Sequence, residues 1–306
     1  MSTVGGRIED SYDIGEQLGE GGYGTVHMGT HRRTGKMVAV KIMQKKHMGK
    51  SSFNKEVSTL RKIHDAGGHP HIAGVESIYE DVSNYYLVLE LVSGGEMFEH
   101  LVRNGAYSEK TAAALIRDLA AGLAFLHSHG IVHADLKPEN VMLSSWDDRD
   151  ARVKLVDFGC AGTVGDHCDA TAMGTTAYWP PEAMCAAGFR LTPAMDTWAV
   201  GVILYIMLTG MHPFDLSGDT PEDEIMSKVA REDVPLSPDV VGHLSESAKD
   251  LIRRLMDRNP ARRLTAEQMA RHLWVTGEAA SEEILDKIDE KLAHYQQTLK
   301  QKLETG

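Results

Sequence analysis

Near its middle the chain reads His133-Ala-Asp-Leu-Lys-Pro-Glu-Asn140, and the apolar run Val141-Met-Leu143 follows directly. A second polar position comes after the next apolar run, in Val153-Lys-Leu-Val-Asp-Phe-Gly159. Each polar segment adjoins a short run of strand-forming residues, a pattern that favours two turns next to a pair of strands. The sequence therefore predicts that carboxylate, amide and ammonium groups collect beside one small β-structure.

The side chains of these two segments suit the chemistry of phosphate groups. Asp135, Asn140 and Asp157 carry hard oxygen atoms, which Mg²⁺ accepts next to phosphates. Lys137 adds a positive charge where a phosphoryl group in transfer is negative. Any one fragment could be an ordinary surface turn, but all of them in this order favour phosphoryl transfer, in which positioning and charge neutralisation supply most of the catalysis.

A glycine-rich segment lies upstream, Gly19-Glu-Gly-Gly-Tyr-Gly24-Thr-Val26. Glycines let backbone N–H groups approach phosphate oxygens closely. The motif alone is weak, because dinucleotide-binding loops look similar and a flexible glycine hairpin is an even alternative. Dinucleotide-binding loops lead into a helix, whereas strand-forming residues continue here after Gly24, so we expect a β-hairpin over the phosphates.

Two charged residues follow the glycine-rich segment. Lys41 stands in the apolar run Met37–Met43, where a lysine is costly unless it is paired. Glu56, in the next amphipathic segment, could supply the carboxylate. Taken singly, Lys41 could also face water on an edge strand, and Glu56 reads better as a solvated helix residue.

Periodicity divides the chain into two parts. Residues 12–92 alternate strand-like runs with turns, interrupted by one helix predicted over 52–63. Helical patterns dominate from residue 93 onward, including a helix over 109–127 with Ser108 as its N-cap. The run from Trp198 to Leu208 is too short to span a bilayer and predicts a buried helix.

Composition excludes several classes. The 306 residues contain 32 Lys+Arg against 44 Asp+Glu, a net charge of −12 that argues against nucleic-acid binding. Three cysteines give no disulfide framework. The first residues lack the apolar core of a signal peptide, so we expect a protein that does not bind membranes and lies in the cytoplasm, with the nucleus as the alternative.

Together these motifs resemble the eukaryotic protein kinases over roughly residues 12–274, and Lys137-Pro-Glu139 resembles the serine/threonine class. Leu91–Phe98 and Asp257–Thr265 are similar to the calcium/calmodulin-dependent group. The resemblance implies an α+β, bilobal fold with a small antiparallel β-sheet lobe and a larger α-helical lobe. It also implies three parts, namely an ATP-binding lobe (12–92), a catalytic and substrate lobe (93–274) and a helical tail (275–306).

The resemblance also implies roles for single residues, with ATP and Mg²⁺ as cofactors and Mn²⁺ as the alternative metal. Asp135 would orient the substrate hydroxyl and accept its proton, with Lys137, Lys41 and Glu56 as the other catalytic residues. Asn140 and Asp157 would bind the metal. The residues expected to bind the nucleotide are Leu18, Gly19, Gly21, Gly24, Val26, Ala39, Lys41, Leu89, Glu90, Val92, Glu96, Glu139, Met142 and Asp157.

Glu96 and Glu139 resemble acidic residues that recognise an arginine three positions before the phosphoacceptor, with ribose contact or simple solvation as alternatives. Protein substrates with basic motifs are therefore expected. Further along, Thr175 resembles a threonine that binds the catalytic aspartate and lysine. Asp196 would support the catalytic loop or cap its helix.

The resemblance implies three further structural features. Phe158 would pack against the helix that carries Glu56, and Glu182 would form a buried ion pair with Arg263. Ala134 stands where most regulated kinases carry arginine, the partner of a phosphate on the activation loop. We therefore expect activation by another route, such as tail displacement or partner binding.

Residues 281–305 are predicted to form one long helix, with Leu285, Ile288, Leu292, Tyr295, Leu299 and Leu303 on one face. The segment 281–306 holds six acids and four lysines, a balance that does not support a calmodulin target. A helix docked on the large lobe is favoured, and an autoinhibitory helix or a dimer seam is the alternative to a monomer. For the whole chain, the alternatives to an active kinase are a catalytically silent scaffold and an autoinhibited kinase that requires a partner.

Overall fold

The computed structural model describes residues 6–21, 24–145, 151–167, 176–184 and 188–305, with the backbone alone for 302–305. The tip of the glycine-rich loop, the predicted turn at 146–150, Thr175 and the side chain of Leu303 lie outside the described residues.

The N-terminal part is an antiparallel sheet whose described strands follow the order β1-β2-β3-β5-β4. The strands are β1 (Tyr12–Gly21), β2 (Gly24–His31), β3 (Met37–Gln44), β4 (Val75–Glu80) and β5 (Asn84–Glu90). In β1 and β2, Gly21 pairs with Gly24, so the predicted β-hairpin at the glycine-rich segment is confirmed. Because β3 lies between β2 and β5, the edge-strand alternative for Lys41 is wrong.

Alternation along β3 gives the sheet two different faces. Val38 and Val40 are buried in one apolar cluster with Ile8, Tyr12 and residues of β5. Ala39 and Lys41 point to the opposite face, since successive side chains of a strand alternate. This second face forms the roof of the cleft between the two parts of the molecule.

One helix, α1 (Lys50–Asp65), packs beneath the sheet. It extends two residues beyond each end of the predicted range 52–63. Phe53, Val57 and Leu60 are buried in the main apolar cluster, as their helical spacing predicts. Phe158 belongs to this same cluster.

The C-terminal part is mainly helical. Its helices are α2 (Met97–Asn104), α3 (Glu109–Ser128), α4 (Pro181–Met184), α5 (Pro193–Thr209), α6 (Glu222–Arg231), α7 (Pro238–Val241), α8 (Glu246–Leu255), α9 (Ala266–Ala270), α10 (Leu273–Thr276) and α11 (Ile288–Thr305). Its short strands are β6 (Ile131–Val132), β7 (Val141–Leu143), β8 (Val153–Leu155) and β9 (Gly162–Thr163), which pair as β6 with β9 and β7 with β8. Short 3₁₀ turns lie at Ile8–Asp10, Pro138–Asn140 and Thr176–Tyr178. The small sheet and the larger helical region confirm the α+β, bilobal architecture.

Two central helices organise this larger part. In α3 the hydroxyl of Ser108 accepts a hydrogen bond from the Thr111 N–H, which confirms the predicted N-cap. Helix α5 is apolar around its whole circumference and is buried from Met195 to Thr209, as such a sequence requires. Within the described part of the chain, no helix combines the length and the apolar character needed to cross a bilayer.

The loop after α1 joins the two parts at the back of the cleft. The N–H of Ala73 donates to the carbonyl of Leu155 over 2.9 Å, and the N–H of Leu155 donates to the carbonyl of His71 over 2.9 Å. In addition, the imidazole Nδ1 of His71 lies 2.9 Å from the carbonyl oxygen of Val153. Strand β8 is therefore bonded to the N-terminal part as well as to β7.

The tail packs on the larger part, as favoured, but its helix begins at Ile288, so the predicted start at 281 is wrong by seven residues. The preceding residues pair instead with the entrance of α3, where the N–H of Leu285 donates to the carbonyl of Tyr107 over 2.9 Å. Lys287 then has φ +53°, which a helix does not contain. Leu292 is fully buried, and Leu285 and Ile288 are nearly so.

Candidate active site

A buried ion cluster lies under the sheet. The ammonium of Lys41 is 2.8 Å from a carboxylate oxygen of Glu56 and 2.8 Å from one of Asp157. Glu56 is only 2% exposed, so reading it as a solvated helix residue is wrong. Strand β3, helix α1 and the segment after β8 each supply one of the three charges.

The charges of Lys41 and Asp157 stabilise each other, whereas at Glu56 burial outweighs the effect of Lys41 and raises the pKa of the carboxyl. Burial disfavours the charged form of Lys41, but the carboxylates of Glu56 and Asp157 outweigh it and raise the pKa of the lysine. Partial burial also opposes ionisation of Asp157, yet Lys41 and the N–H of Gly159 lower the pKa of this carboxyl. Asp157 has φ +56°, a backbone strain typical of functional sites.

The loop before β7 holds a second polar group. The side-chain amide of Asn140 donates to the backbone carbonyl of Asp135 over 2.6 Å and to its carboxylate over 3.1 Å. The ammonium of Lys137 is 3.3 Å from the same carboxylate. The carboxylate of Asp135 can therefore face a substrate hydroxyl while the neighbouring ammonium of Lys137 faces a phosphate.

Asp196 supports this loop from below. Its carboxylate accepts hydrogen bonds from the backbone N–H groups of His133 and Ala134, each over 2.9 Å. The N-cap of α5 is Thr192, so the alternative role of Asp196 as a helix cap is wrong. The imidazole of His127 adds a contact of 2.8 Å to the same carboxylate. Sequence reasoning missed His127, because a polar residue in the last turn of a helix gives no signal of its own.

The walls of the cleft come from both parts of the molecule. Val26 lies opposite Lys41 in the β2–β3 pairing, and Ala39 lies opposite Leu89 in the β3–β5 pairing. Met142, on β7, is half-buried. Leu18 is 47% exposed at the front of the sheet. The strands thus bring the expected adenine-binding and phosphate-binding positions to one cleft.

The segment connecting β5 to α2 closes the back of the cleft. The carboxylate of Glu90 is 2.7 Å from the ammonium of Lys154 and accepts a hydrogen bond from the N–H of Gly74 over 3.0 Å. The backbone N–H of Glu90 donates to the carbonyl of Gly74 over 2.8 Å. Glu90 is therefore engaged with β8 and with the loop before β4, and Val92, two residues further on, is buried.

The donor set at the front of the cleft fits Mg²⁺. Asp157 presents an ionised, half-exposed carboxylate, and Asn140 adds an amide oxygen. Among the described residues no group of three or more histidine, cysteine, aspartate or glutamate side chains could hold a metal by itself. Mg²⁺ beside phosphates usually takes one or two carboxylates from the protein and completes its shell with phosphate oxygens and water.

Three acidic side chains, Glu96, Glu99 and Glu139, form a cluster that we call the acidic cluster. Burial, with help from the charges of Glu99 and Glu139, raises the pKa of Glu96 to about 7. The tail reaches this cluster, because the ammonium of Lys300 is 3.4 Å from the carboxylate of Glu99. A cationic side chain can thus dock here.

The segment after the 3₁₀ turn Thr176–Tyr178 is fixed by an ion pair. Arg263 donates two hydrogen bonds to the carboxylate of Glu182, of 2.8 and 3.0 Å, and also lies over the ring of Trp198. Only 4% of Arg263 is exposed. This is the buried pair that the resemblance implied.

Comparison with known proteins identifies the family of this chain. The sequence profile of the family described as "Protein kinase domain" matches residues 12–275. Serine/threonine-protein kinase PKZ1 of Phytophthora infestans is 35% identical over 88% of this chain and 71% of its own length. Calcium/calmodulin-dependent protein kinase type 1B of Rattus norvegicus is 36% identical over 93% and 81%. Calcium-dependent protein kinase 12 of Arabidopsis thaliana is 37% identical over 88% of this chain and 54% of its own.

Proposed function

Because the chain belongs to the protein kinase family and is a serine/threonine kinase, we propose that it transfers the γ-phosphoryl group of Mg-ATP to proteins whose Ser or Thr acceptor follows basic residues. The observation that carries the proposal is the position of Lys41, held between Glu56 and Asp157 at 2.8 Å from each. A lysine fixed in this way presents a permanent positive charge to phosphate oxygens.

The residues of the cleft would divide the reaction among them. Lys41 binds the phosphates next to the adenosine, while Asn140 and Asp157 hold Mg²⁺, which neutralises the charge of the triphosphate. Asp135 orients the hydroxyl of the acceptor and takes up its proton as the phosphoryl group transfers. Lys137, 3.3 Å from Asp135, stabilises the negative charge that the transferred group carries.

The acidic cluster supports a basic substrate. Three carboxylates, of which Glu96 and Glu99 lie on the same turn at the start of α2, would attract an arginine that precedes the acceptor. The docking of Lys300 beside Glu99 supports the same idea, since it places a cation within this cluster.

An assay of the full chain tests the proposal. Wild-type protein should phosphorylate an R-x-x-S peptide with Mg-ATP, and Asp135→Asn and Asp157→Ala should each lower kcat by about 10³-fold or more while the thermal melting curve is kept. Lys249→Met, which alters a lysine of the same lobe on α8 that pairs with Glu246 of that helix, is the control. Turnover of acidic or proline-directed peptides instead, or activity that survives both aspartate variants, would contradict it.

One set of contacts favours a second candidate, in which the tail holds the kinase in a low-activity state. Helix α11 places Tyr295 against Tyr178, the last residue of the turn Thr176–Tyr178, with their hydroxyl oxygens 2.9 Å apart. It also places Lys300 at the acidic cluster. A basic peptide would therefore compete with the tail for the same carboxylates.

A charge reversal on the tail tests this candidate. Lys300→Glu should lower the KM for the basic peptide by a few-fold, since one exposed ion pair contributes well under about 1 kcal/mol and repulsion adds to its loss. Lys291→Glu makes the same charge change on an exposed part of α11 and is the matched control. An unchanged KM in Lys300→Glu would reject competition by the tail. Assays with and without calcium and calmodulin would show whether such a sensor relieves it despite the tail's acidic balance.

A further inference from the structure

A small apolar cluster lies beneath the loop of residues 133–140, which we call the catalytic loop, and is separate from the main core. It consists of Val132, Ala134, Leu191 and Met195, with Phe189 packed against its side. Leu191 is only 1% exposed, and Ala134 5%. Within this cluster Leu191 is the large side chain that comes from outside the loop and outside α5.

Leu191 fits because two neighbours are small. A Cβ added to Gly162 would lie 2.7 Å from the Cδ1 of Leu191, closer than such atoms approach each other. On the other side of the Leu191 side chain, Ala134 contributes only a methyl group to the cluster. The leucine side chain therefore fills a pocket bounded by β9 on one side and by the catalytic loop on the other.

The backbone of Leu191 is bound to the strand side as well. Its N–H donates to the carbonyl of Asp166 and its carbonyl accepts from the N–H of Gly165, each over 2.9 Å. Next to it, the guanidinium of Arg190 donates to the carbonyl of Gly165 over 2.6 Å. The residues that precede the segment 168–175 are thus paired with the residues that follow α4.

Ala134 connects this pocket to the chemistry. It has φ +66°, an unusual conformation for a residue with a side chain, and it immediately precedes Asp135. Asp196 accepts a hydrogen bond from its N–H, and its methyl group is buried in the same apolar cluster as Leu191. A loss of packing here would let the strained Ala134 relax, and the Asp135 carboxylate would move with it.

We propose that Leu191 is a positioning residue for phosphoryl transfer, which acts through Ala134 to align Asp135. Its apolar contact also holds the two ends of the segment 164–190 together. The contact between Leu191 and Gly162 is apolar, and the end of the Lys55 side chain lies beside it. This inference rests on the proposed function, because its readout is kinase activity.

The first test compares two equally buried leucines. Leu191→Ala should lower kcat by about 10- to 100-fold, as displacement of a catalytic group by around 1 Å does, with the KM for ATP unchanged. Leu255→Ala, in a fully buried position of α8 far from the loop, should lower the melting temperature but leave kcat at 20 °C intact. Leu191→Met, which keeps the volume, should restore most of the activity.

The second test uses the contact between Leu191 and Gly162 directly. Gly162→Ala should lower kcat in the wild-type background, because its Cβ displaces the leucine. In the Leu191→Ala background the same change should lower kcat much less than in the wild type, because the added methyl group no longer meets the leucine and displaces only the flexible end of Lys55. This loss of effect also decides the case if Leu191→Ala by itself folds poorly.

The outcomes separate the two levels of inference. An inactive wild type would overturn the proposed function, whereas an active wild type with equal kcat in Leu191→Ala would overturn the role of Leu191. Additive losses from Leu191→Ala and Gly162→Ala would also overturn it, since independent effects mean that the two residues do not share the pocket.

Discussion

The hydroxyl oxygens of Tyr178 and Tyr295 lie 2.9 Å apart, which joins the segment before Glu182 to the tail helix. Burial raises the pKa of both phenols, so both stay protonated at any pH suited to an assay. The contact therefore depends on a neutral hydrogen bond and not on charge.

Removal of this hydrogen bond should loosen the tail. Tyr295→Phe is expected to lower the KM for a basic peptide by about twofold to tenfold, the equivalent of about 1 kcal/mol. Steady-state kinetics with ATP held in excess would measure it. Tyr205→Phe removes another hydroxyl contact of the same lobe, to the carbonyl of Pro235, and serves as the control. Equal KM values in the two variants would argue against an inhibitory tail.

The tail also depends on a glycine at the end of α5. Gly210 has φ +71°, and a Cβ there would lie 2.3 Å from the Cβ of Lys291. Gly210→Asn, which tolerates this backbone conformation but adds a side chain, should displace α11 and expose it to limited proteolysis. Gly130→Asn is the control, because Gly130 has φ +67° with open space around it. Identical digestion rates in both variants would refute the close approach.

Protonation of Glu96 should control the binding of basic peptides. With its pKa raised to about 7, the carboxylate loses its charge as the pH falls through that value. The KM for an R-x-x-S peptide should thus rise about tenfold from pH 8 to pH 6, while the KM for ATP stays constant. In Glu96→Gln the KM should be high and nearly independent of pH over this range. A flat profile in the wild type would show that Glu96 does not bind the basic residue.

The pair between Glu182 and Arg263 should contribute to stability out of proportion to its surface area. Glu182→Ala leaves the guanidinium of Arg263 buried without its carboxylate and should lower the free energy of unfolding by about 3–5 kcal/mol. Urea unfolding followed by fluorescence would measure this. The double variant Glu182→Leu with Arg263→Met should lose less than the sum of the single changes. Strict additivity would mean that the two side chains do not interact.

The apolar pocket at Ala134 predicts that the kinase is active without a phosphate on its activation loop. Protein treated with a phosphatase should keep its kcat within about twofold, and so should Thr171→Ala, because in the described structure a buried leucine fills the space beneath Ala134. Mass spectrometry would confirm that no phosphate remains. Complete loss of activity after dephosphorylation would show that a phosphate is required after all.

Local patterns in the sequence predicted the elements of the fold well. The alternation in β3 and the spacing of Phe53, Val57 and Leu60 in α1 are set by burial of one face, so each could be read from its own segment. The start of the tail helix could not be read in this way. Its residues around Leu285 are held by the backbone of Tyr107, a partner nearly 180 positions away, and that contact overrides their helical spacing.

The candidate site, like the fold, could be predicted only in part from local sequence patterns. A lysine in an apolar strand signals a buried partner, but from the residues alone Glu56 was only one possible partner, since strand and helix meet only in the folded chain. His127 and Leu191 gave no signal, because each gains its role from a partner on another element. These partners come together only in the folded structure.

The pair of hydrogen bonds between Ala73, His71 and Leu155 has a mechanical consequence. These bonds tie the sheet to β8 at the rear of the cleft. A swing of the sheet about them would shift the hairpin of β1 and β2 by the largest distance. Such a swing would widen the mouth of the cleft, while the rear of the cleft keeps its dimensions.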